Sequence, residues 1–370
     1  MRIQQQALPA MTSGTSRELH SFHFGACRSG KKVYIQSSLH ADEIPGMLVA
    51  HYLRQQLTAL ESEIAGEIIL VPVANPIGLA QDVQGTAFGR FDLSTGVNFN
   101  RGYRYLTPEL IPAVADKLGS DPSANTEIIR QAARDALQQW QPQAEVEFQK
   151  KYLQSMAIDA DIVLDLHCDN QAVMHLYAGT PLADATMPLA AQLGAHALLV
   201  TTLSGGDPMD ENCSRHWWEL AAHFGATKPI PMACLSITVE LRGETEVSHE
   251  LAQADANGII AFLQQAGHIS GEARPQPKAI CEPTPLEGVD PITAPHAGVL
   301  VFTKALGQMV EAGESIGDVI DVINGVSTPL RATVSGVLFA RVARRYAQNG
   351  MRVAKIAGKV AFRSSQLLSM

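Results

Sequence analysis

No apolar run in this chain approaches the roughly 18 residues that a bilayer-spanning helix requires, which excludes a transmembrane segment of that kind. Positive charge is in deficit: 28 Lys and Arg face 37 Asp and Glu, for a formal net charge of −9. An acidic chain repels phosphate backbones, so nucleic acid is not an expected partner, although a local basic site can still take a small anion. Cysteine is sparse, with five residues at Cys27, Cys168, Cys213, Cys234 and Cys281 and no CxxC pair among them. That spacing excludes a zinc knuckle and a disulfide framework, and it reads as reduced thiols in a cytoplasmic protein. Residues 1–11 hold three consecutive glutamines and no apolar stretch, so no signal peptide is expected.

What is present is an ordinary globular composition, 46% hydrophobic and 18% charged. At 370 residues the chain exceeds one ordinary core, and two domains are expected. Residues 33–39 read as a strand ending in small polar residues, 40–46 as a turn, and 47–60 as an amphipathic helix. A strand at 67–73 follows, closed by Asn75-Pro76. This β–turn–α–β order predicts an α/β domain with a mixed, largely parallel sheet flanked by helices. Residues 79–105 carry no period and read as a long functional loop, and 124–158 read as helix. Further strands are expected at 160–166, 195–202 and 233–241, with a helix at 250–266 stopped by Gly267. Six prolines between 271 and 295 mark a linker or an extended crossing. Beyond it, short β-like runs alternate with glycine turns. The expected division is a catalytic domain at 1–270, then a linker and small all-β domain at 271–370.

The chemistry is carried by His40-Ala41-Asp42-Glu43, an imidazole and a carboxylate three residues apart in a turn that enters a helix. Zn²⁺ accepts such donors, and a catalytic zinc keeps three protein ligands plus an open position. Asp165-Leu166-His167 ends an apolar strand, where α/β sheets place their chemistry, which makes His167 the natural third donor. One Zn²⁺ per chain is therefore expected, although two imidazoles and a carboxylate also suit cobalt or manganese. A rival set, His216, Glu219 and His223, shares one helix face but lacks the strand-end context, and an ordinary helix face is the preferred reading. Glu240 closes another apolar strand, and an acid there is costly unless used; it is the candidate base, with Glu244 as competitor. Arg90 and Arg101 lie in the aperiodic loop, and Asn100-Arg101 suits capture of a substrate carboxylate. His175 and Tyr177 alternate on a strand and are candidates for the pocket wall.

Together, Leu39-His40-Ala41-Asp42-Glu43-Ile44-Pro45-Gly46, Asn75-Pro76-Ile77-Gly78, Asn98-Phe99-Asn100-Arg101, Asp165-Leu166-His167 and Val239-Glu240-Leu241 resemble the succinylglutamate desuccinylase/aspartoacylase family of the zinc metallocarboxypeptidase superfamily. The resemblance covers about residues 25–265. It implies a carboxypeptidase-like fold, His40, Glu43 and His167 as zinc ligands, and Glu240 as base. It further implies that Asn100 and Arg101 bind a substrate carboxylate and that Arg90 polarises the scissile carbonyl. The chain departs from the family in a longer 90–100 loop and an expanded helical segment at 103–155, and no motif assigns the acyl group or amino acid. The C-terminal part resembles a barrel-sandwich hybrid of the biotinyl/lipoyl carrier type, on Ala294-Pro295-His296-Ala297-Gly298 and 310–317. Residues 318–332 contain no lysine, so a carrier role is not expected, and a cap over the cleft is. The expected activity is hydrolysis of an amide in a small N-acyl amino acid, the partner being a small-molecule carboxylate. Self-association is left open. The alternatives are a zinc carboxypeptidase acting on short peptides and a non-catalytic metal-binding module.

Overall fold

A computed structural model describes residues 1–26, 30–272, 274–364 and 367. Cys27 lies outside the described residues, and the other four cysteines are unpaired thiols. The apolar runs near 33, 68, 162 and 237 become neighbouring strands of one nine-stranded sheet. Its spatial order is Arg2–Ala7, Glu18–Gly25, Glu67–Val71, Lys32–Ser37, Ile162–Asp169, Leu235–Gly243, His175–Gly179, Ala197–Thr201 and Pro283–Pro285. Five neighbouring pairs run parallel. Three run antiparallel.

Both faces of the sheet are covered, which explains why its central strands read as unbroken apolar runs. On one face Val33, Ile35, Leu164 and Val239 pack against the helices Pro45–Ala59, Ala183–Leu193 and His249–Gln265. On the other, Tyr34 and Val163 meet the helices Thr107–Val114, Pro122–Gln139, Glu145–Ala157 and Met209–Phe224. The expected single helix at 124–158 is two, because the chain turns extended at Trp140 ahead of Pro142, whose ring cannot continue a helix. The first two strands were not foreseen. Arg2–Ala7 is exposed along its whole length, so no apolar alternation marks it.

The C-terminal region forms two antiparallel sheets. One is Val289–Thr293, Arg352–Gly358, Gly336–Arg341 and Met309–Val310, and the other is Val326–Arg331, Ser315–Asp321, Gly298–Phe302 and Tyr346–Ala347. The region has its own core of Leu300, Ile316, Val319, Leu338 and Ile356. The proline-rich stretch takes the extended course: Pro283–Pro285 adds the last strand to the main sheet, at an edge where proline is tolerated. In return Gln171–Ala172, just past the strand of His167, pairs with Ala340 and Arg341. Among the described residues no helix is long and apolar enough to cross a membrane.

The register fixes where the chemistry can be. Ser37 pairs with Leu166, and Glu240 pairs with His167. Three strands therefore end side by side, at the edge where α/β sheets carry their sites.

Candidate active site

Chain segments far apart in sequence meet at these strand ends. His40 Nδ1 lies 2.8 Å from Glu43 Oε1, and His167 Nδ1 lies 2.8 Å from Glu43 Oε2. The three donors fall within 4.8 Å of one another, and all three residues are buried. Among the described residues no other group of this kind occurs. Glu43 also accepts the Cys168 N–H at 3.0 Å and an Arg90 Nη2–H at 2.9 Å. Burial opposes ionisation of Glu43, but His40 and His167 overcome it and hold the carboxyl well below its usual range. For His167 burial is likewise outweighed, here by Asp165 and Glu43, and its pKa stands well above the ordinary value. His40 is pushed down, by burial first and Arg90 second.

The outer ring nitrogens show why a cation fits. His40 Nε2 lies 3.0 Å from Asn98 Oδ1, and His167 Nε2 lies 3.0 Å from Asp165 Oδ2. All four imidazole nitrogens thus face oxygen acceptors, yet a neutral imidazole carries a single N–H. A cation taking both Nδ1 lone pairs would leave each Nε2–H turned toward its outer oxygen. The His167–Asp165 contact is close without hydrogen-bond alignment, and both atoms are otherwise unpartnered. Asp165 is held from behind, accepting from Gln36 at 2.9 Å, and Gln36 accepts the Tyr34 hydroxyl at 2.8 Å. This two-imidazole, one-carboxylate set has the composition of a catalytic zinc site.

Local strain and glycine build the turn. Ser38, two residues before His40, has φ 61°, and Arg242, two after Glu240, has φ 66°. Left-handed non-glycine residues at both strand ends are of the kind that clusters at functional sites. The Asn75-Pro76-Ile77-Gly78 turn had no legible role. Here Asn75 donates to the Leu39 carbonyl at 2.8 Å and accepts the Gly78 N–H at 2.7 Å, which pins the residue before His40. Gly89 accepts the Ala41 N–H at 3.0 Å, and a Cβ at position 89 would lie 2.1 Å from the Asp42 nitrogen. That neighbour is backbone and cannot swing away. Gly89→Ala is therefore expected to displace the His40–Glu43 turn and weaken cation affinity at least tenfold, read by competition with a chelating dye; unchanged affinity would show the turn to be tolerant.

Glu240 stands beside His167 in the adjoining strand, and its Oε2 is buried without a hydrogen-bond partner. Burial, then the Glu43 charge, raises its carboxyl to about 8. A dication nearby reverses that balance by favouring the carboxylate. Arg90, Asn100, Arg101 and Tyr177 line the same cavity of about 320 Å³, together with His40, Glu43, His167 and Glu240. Asn100 Oδ1 is engaged with the Met209 N–H at 3.0 Å, and an Arg101 N–H donates to the Asn100 carbonyl at 2.7 Å. Lys150, buried and pushed down to about 8 by desolvation, clamps the Asn98 and Arg101 carbonyls at 3.2 and 2.6 Å. The loop carrying Arg101 is thereby fixed to the Glu145–Ala157 helix.

His175 is not among the residues lining the cavity. It is fully buried, with its ring 4.9 Å from Phe339 and Nδ1 2.8 Å from the Val173 carbonyl, and burial lowers it to about 4. Tyr177 lines the cavity but its neighbour two residues back does not, because the C-terminal sheet covers that end of the strand. His216 is likewise buried, against Trp217, while Glu219 turns to Tyr105, Thr107 and Arg215. The rival trio does not converge.

Sequence reasoning expected a cap from the C-terminal region but named none of its residues. Arg352, Lys355 and Arg363 line the cavity, and Lys355 pairs with Asp169, two residues past His167. No sequence signal links position 355 to position 169. Asn98 and Asp165 were also missed as partners of His40 and His167, although the Asp165/His167 spacing of two puts both on one strand face.

The family profile "Succinylglutamate desuccinylase/Aspartoacylase catalytic domain" matches residues 29–266. Among solved structures, a succinylglutamate desuccinylase/aspartoacylase from Shewanella frigidimarina NCIMB 400 is 25% identical with a TM-score of 0.85, over 96% of this chain and 97% of that one. A family protein from Shewanella amazonensis SB2B is 26% identical with a TM-score of 0.84, over 97% and 99%. A succinylglutamate desuccinylase/aspartoacylase from Rhodobacter sphaeroides, 18% identical with a TM-score of 0.67 over 97% and 96%, shares the fold. No curated protein matches the chain.

Proposed function

The chain belongs to the succinylglutamate desuccinylase/aspartoacylase family, and from that premise we propose that it is a zinc-dependent deacylase hydrolysing the amide of a small N-acyl amino acid. The observation that carries the reading is the convergence of His40, Glu43 and His167 with Glu240 beside them. When bound there, a divalent cation supplies Lewis acidity to the scissile carbonyl and acidifies the attacking water.

The remaining work falls to the protein's own groups. Glu240, its Oε2 otherwise unpartnered, takes the proton from the attacking water and returns it to the leaving amine. Arg90, tethered to Glu43, presents positive charge to the developing oxyanion. Arg101 receives the substrate carboxylate. Asn100 holds the start of the Met209–Phe224 helix through its amide oxygen and keeps its N–H donors for the same carboxylate. Tyr177 keeps its proton, since burial raises its pKa, and so offers a hydrogen-bond donor. The small cavity, walled in part by Arg352, Lys355 and Arg363, supports a small substrate over an extended peptide and gives the C-terminal region the part of a cap. On this reading residues 1–270 form the catalytic unit and 271–370 the linker and cap, with Pro283–Pro285 lent to the catalytic sheet.

Metal analysis of the purified protein, coupled to an N-acyl amino acid panel, tests the proposal. One zinc per chain and release of free amine from N-acyl amino acids are expected, with at least about 100-fold slower turnover of N-acyl amines that lack a carboxylate. Stoichiometric zinc with no hydrolysis anywhere in the panel would make the chain a binding module. Release of C-terminal residues from peptides alone would make it a carboxypeptidase.

A further inference from the structure

Asp210 is a carboxylate that the reaction above does not use. It stands in the first turn of the Met209–Phe224 helix and lines the cavity, as do Ser214 and Trp218. A spacing of four puts all three on one helix face. Its neighbours are already engaged. The Ser214 hydroxyl donates to the Asp210 main-chain oxygen at 3.1 Å. Glu211 accepts from the Ser204 N–H and hydroxyl and pairs with Arg215. The Asp210 side chain has no ion-pair partner among the described residues. Desolvation, then Glu211 and Asp165, raises its carboxyl to about 6, against the hydrogen bonds it receives from the Glu211 N–H and the Thr238 side chain.

Its position relates it to the substrate. Thr238, whose side chain hydrogen-bonds it, precedes Glu240 by two residues on the same strand face, and Asp210, Thr238 and Glu240 line the same cavity. Among charged groups, Asp210 contributes most to the electrostatics of Arg101, the residue read as holding the substrate carboxylate. The far side of the wall is aromatic: at Gly179 a Cβ would lie 2.8 Å from the Trp218 ring, so the glycine lets that ring pack directly on the strand. A carboxylate and an indole on one wall are the elements that recognise an ammonium group.

We propose that Asp210 is a specificity-determining residue that binds a side-chain ammonium on the amino-acid half of the substrate, so that the preferred substrates are Nα-acyl diamino acids. The inference rests on the deacylase reading and deepens it: Arg101 takes the α-carboxylate while Asp210, beside it, takes the distal cation. Ion pairing in a desolvated pocket gives selectivity because the neutral analogue leaves the carboxylate unpaired.

The test compares Nα-acetyl and Nα-succinyl derivatives of ornithine and norleucine, whose side chains differ in a terminal ammonium against a methyl group. Zinc-loaded wild type is expected to favour ornithine at least about tenfold in kcat/KM, and Asp210→Asn to bring the ratio near one. Calorimetry with free ornithine and free norleucine supplies a reading independent of turnover, and the same order of affinity is expected. If Asp210 only holds Arg101 in place, Asp210→Asn lowers both substrates in parallel, and the proposal is overturned. No wild-type preference for ornithine in either measurement also overturns it, whether or not the variant folds. Selective ornithine binding without hydrolysis of any substrate would uphold the subsite and remove the deacylase reading.

Discussion

Replacing Glu240 by glutamine is expected to lower kcat by about three orders of magnitude while the protein still binds one zinc, since positioned acid–base groups contribute roughly 10²–10⁴. The amide keeps the shape and loses the ability to accept a proton. Glu240 lies outside the His40, Glu43 and His167 donor set, which explains why the cation stays. Stability is not expected to fall. Without the cation, a buried carboxyl raised to about 8 by desolvation and by Glu43 is already mostly neutral at pH 7, and an amide of the same shape replaces it at little cost. Steady-state kinetics, metal analysis and thermal melting read the three expectations separately. Normal turnover by the variant would show that another group, such as Glu244, moves the proton.

The opposite pattern is expected for His167→Ala. Removing one of three ligands should release the cation and abolish turnover together. It also leaves Glu43 and Asp165 buried without the imidazole that faces both, and a buried charge stripped of its partner costs on the order of 3–5 kcal/mol. Chelation of wild type separates these contributions. A ligand present at about 1,000 times its Kd stabilises the folded state by about 4 kcal/mol, so a chelator should lower the wild-type Tm by several degrees. The variant's Tm should start lower and not respond to the chelator. A wild-type Tm unmoved by chelation and restored zinc alike would mean that the trio is a hydrogen-bonded cluster without a cation.

Much of the catalytic region could be read before folding was known. The strands of the sheet centre are apolar because both faces are covered, and Ile162-Val163-Leu164 announces that directly. His40 and Glu43 share one turn, and Asp165 and His167 share one strand face, so local spacing exposed them. The outer strands were silent because an exposed edge needs no apolar alternation, as Arg2–Ala7 shows. The proline-rich stretch read as a linker or an extended crossing, but its pairing with the sheet was silent for a related reason: an edge strand of three residues can contain two prolines and still complete a sheet.

The sequence by itself determined the chemical inventory: two imidazoles and a carboxylate of zinc-ligand type, a strand-end acid, and loop arginines, on an acidic chain with apolar strands enough for a covered sheet. Those properties are local, set by residue type and by spacings of two to four. Only the tertiary structure decided that Asn75 pins the His40 turn, that His175 is packed away while Tyr177 lines the cavity, and that Lys355 crosses to Asp169. Asp210 and Arg101 likewise come to line one cavity only when the loop and the helix are docked. Such pairings depend on strand register and on how one sheet docks against another, and neither leaves a periodic trace along the chain.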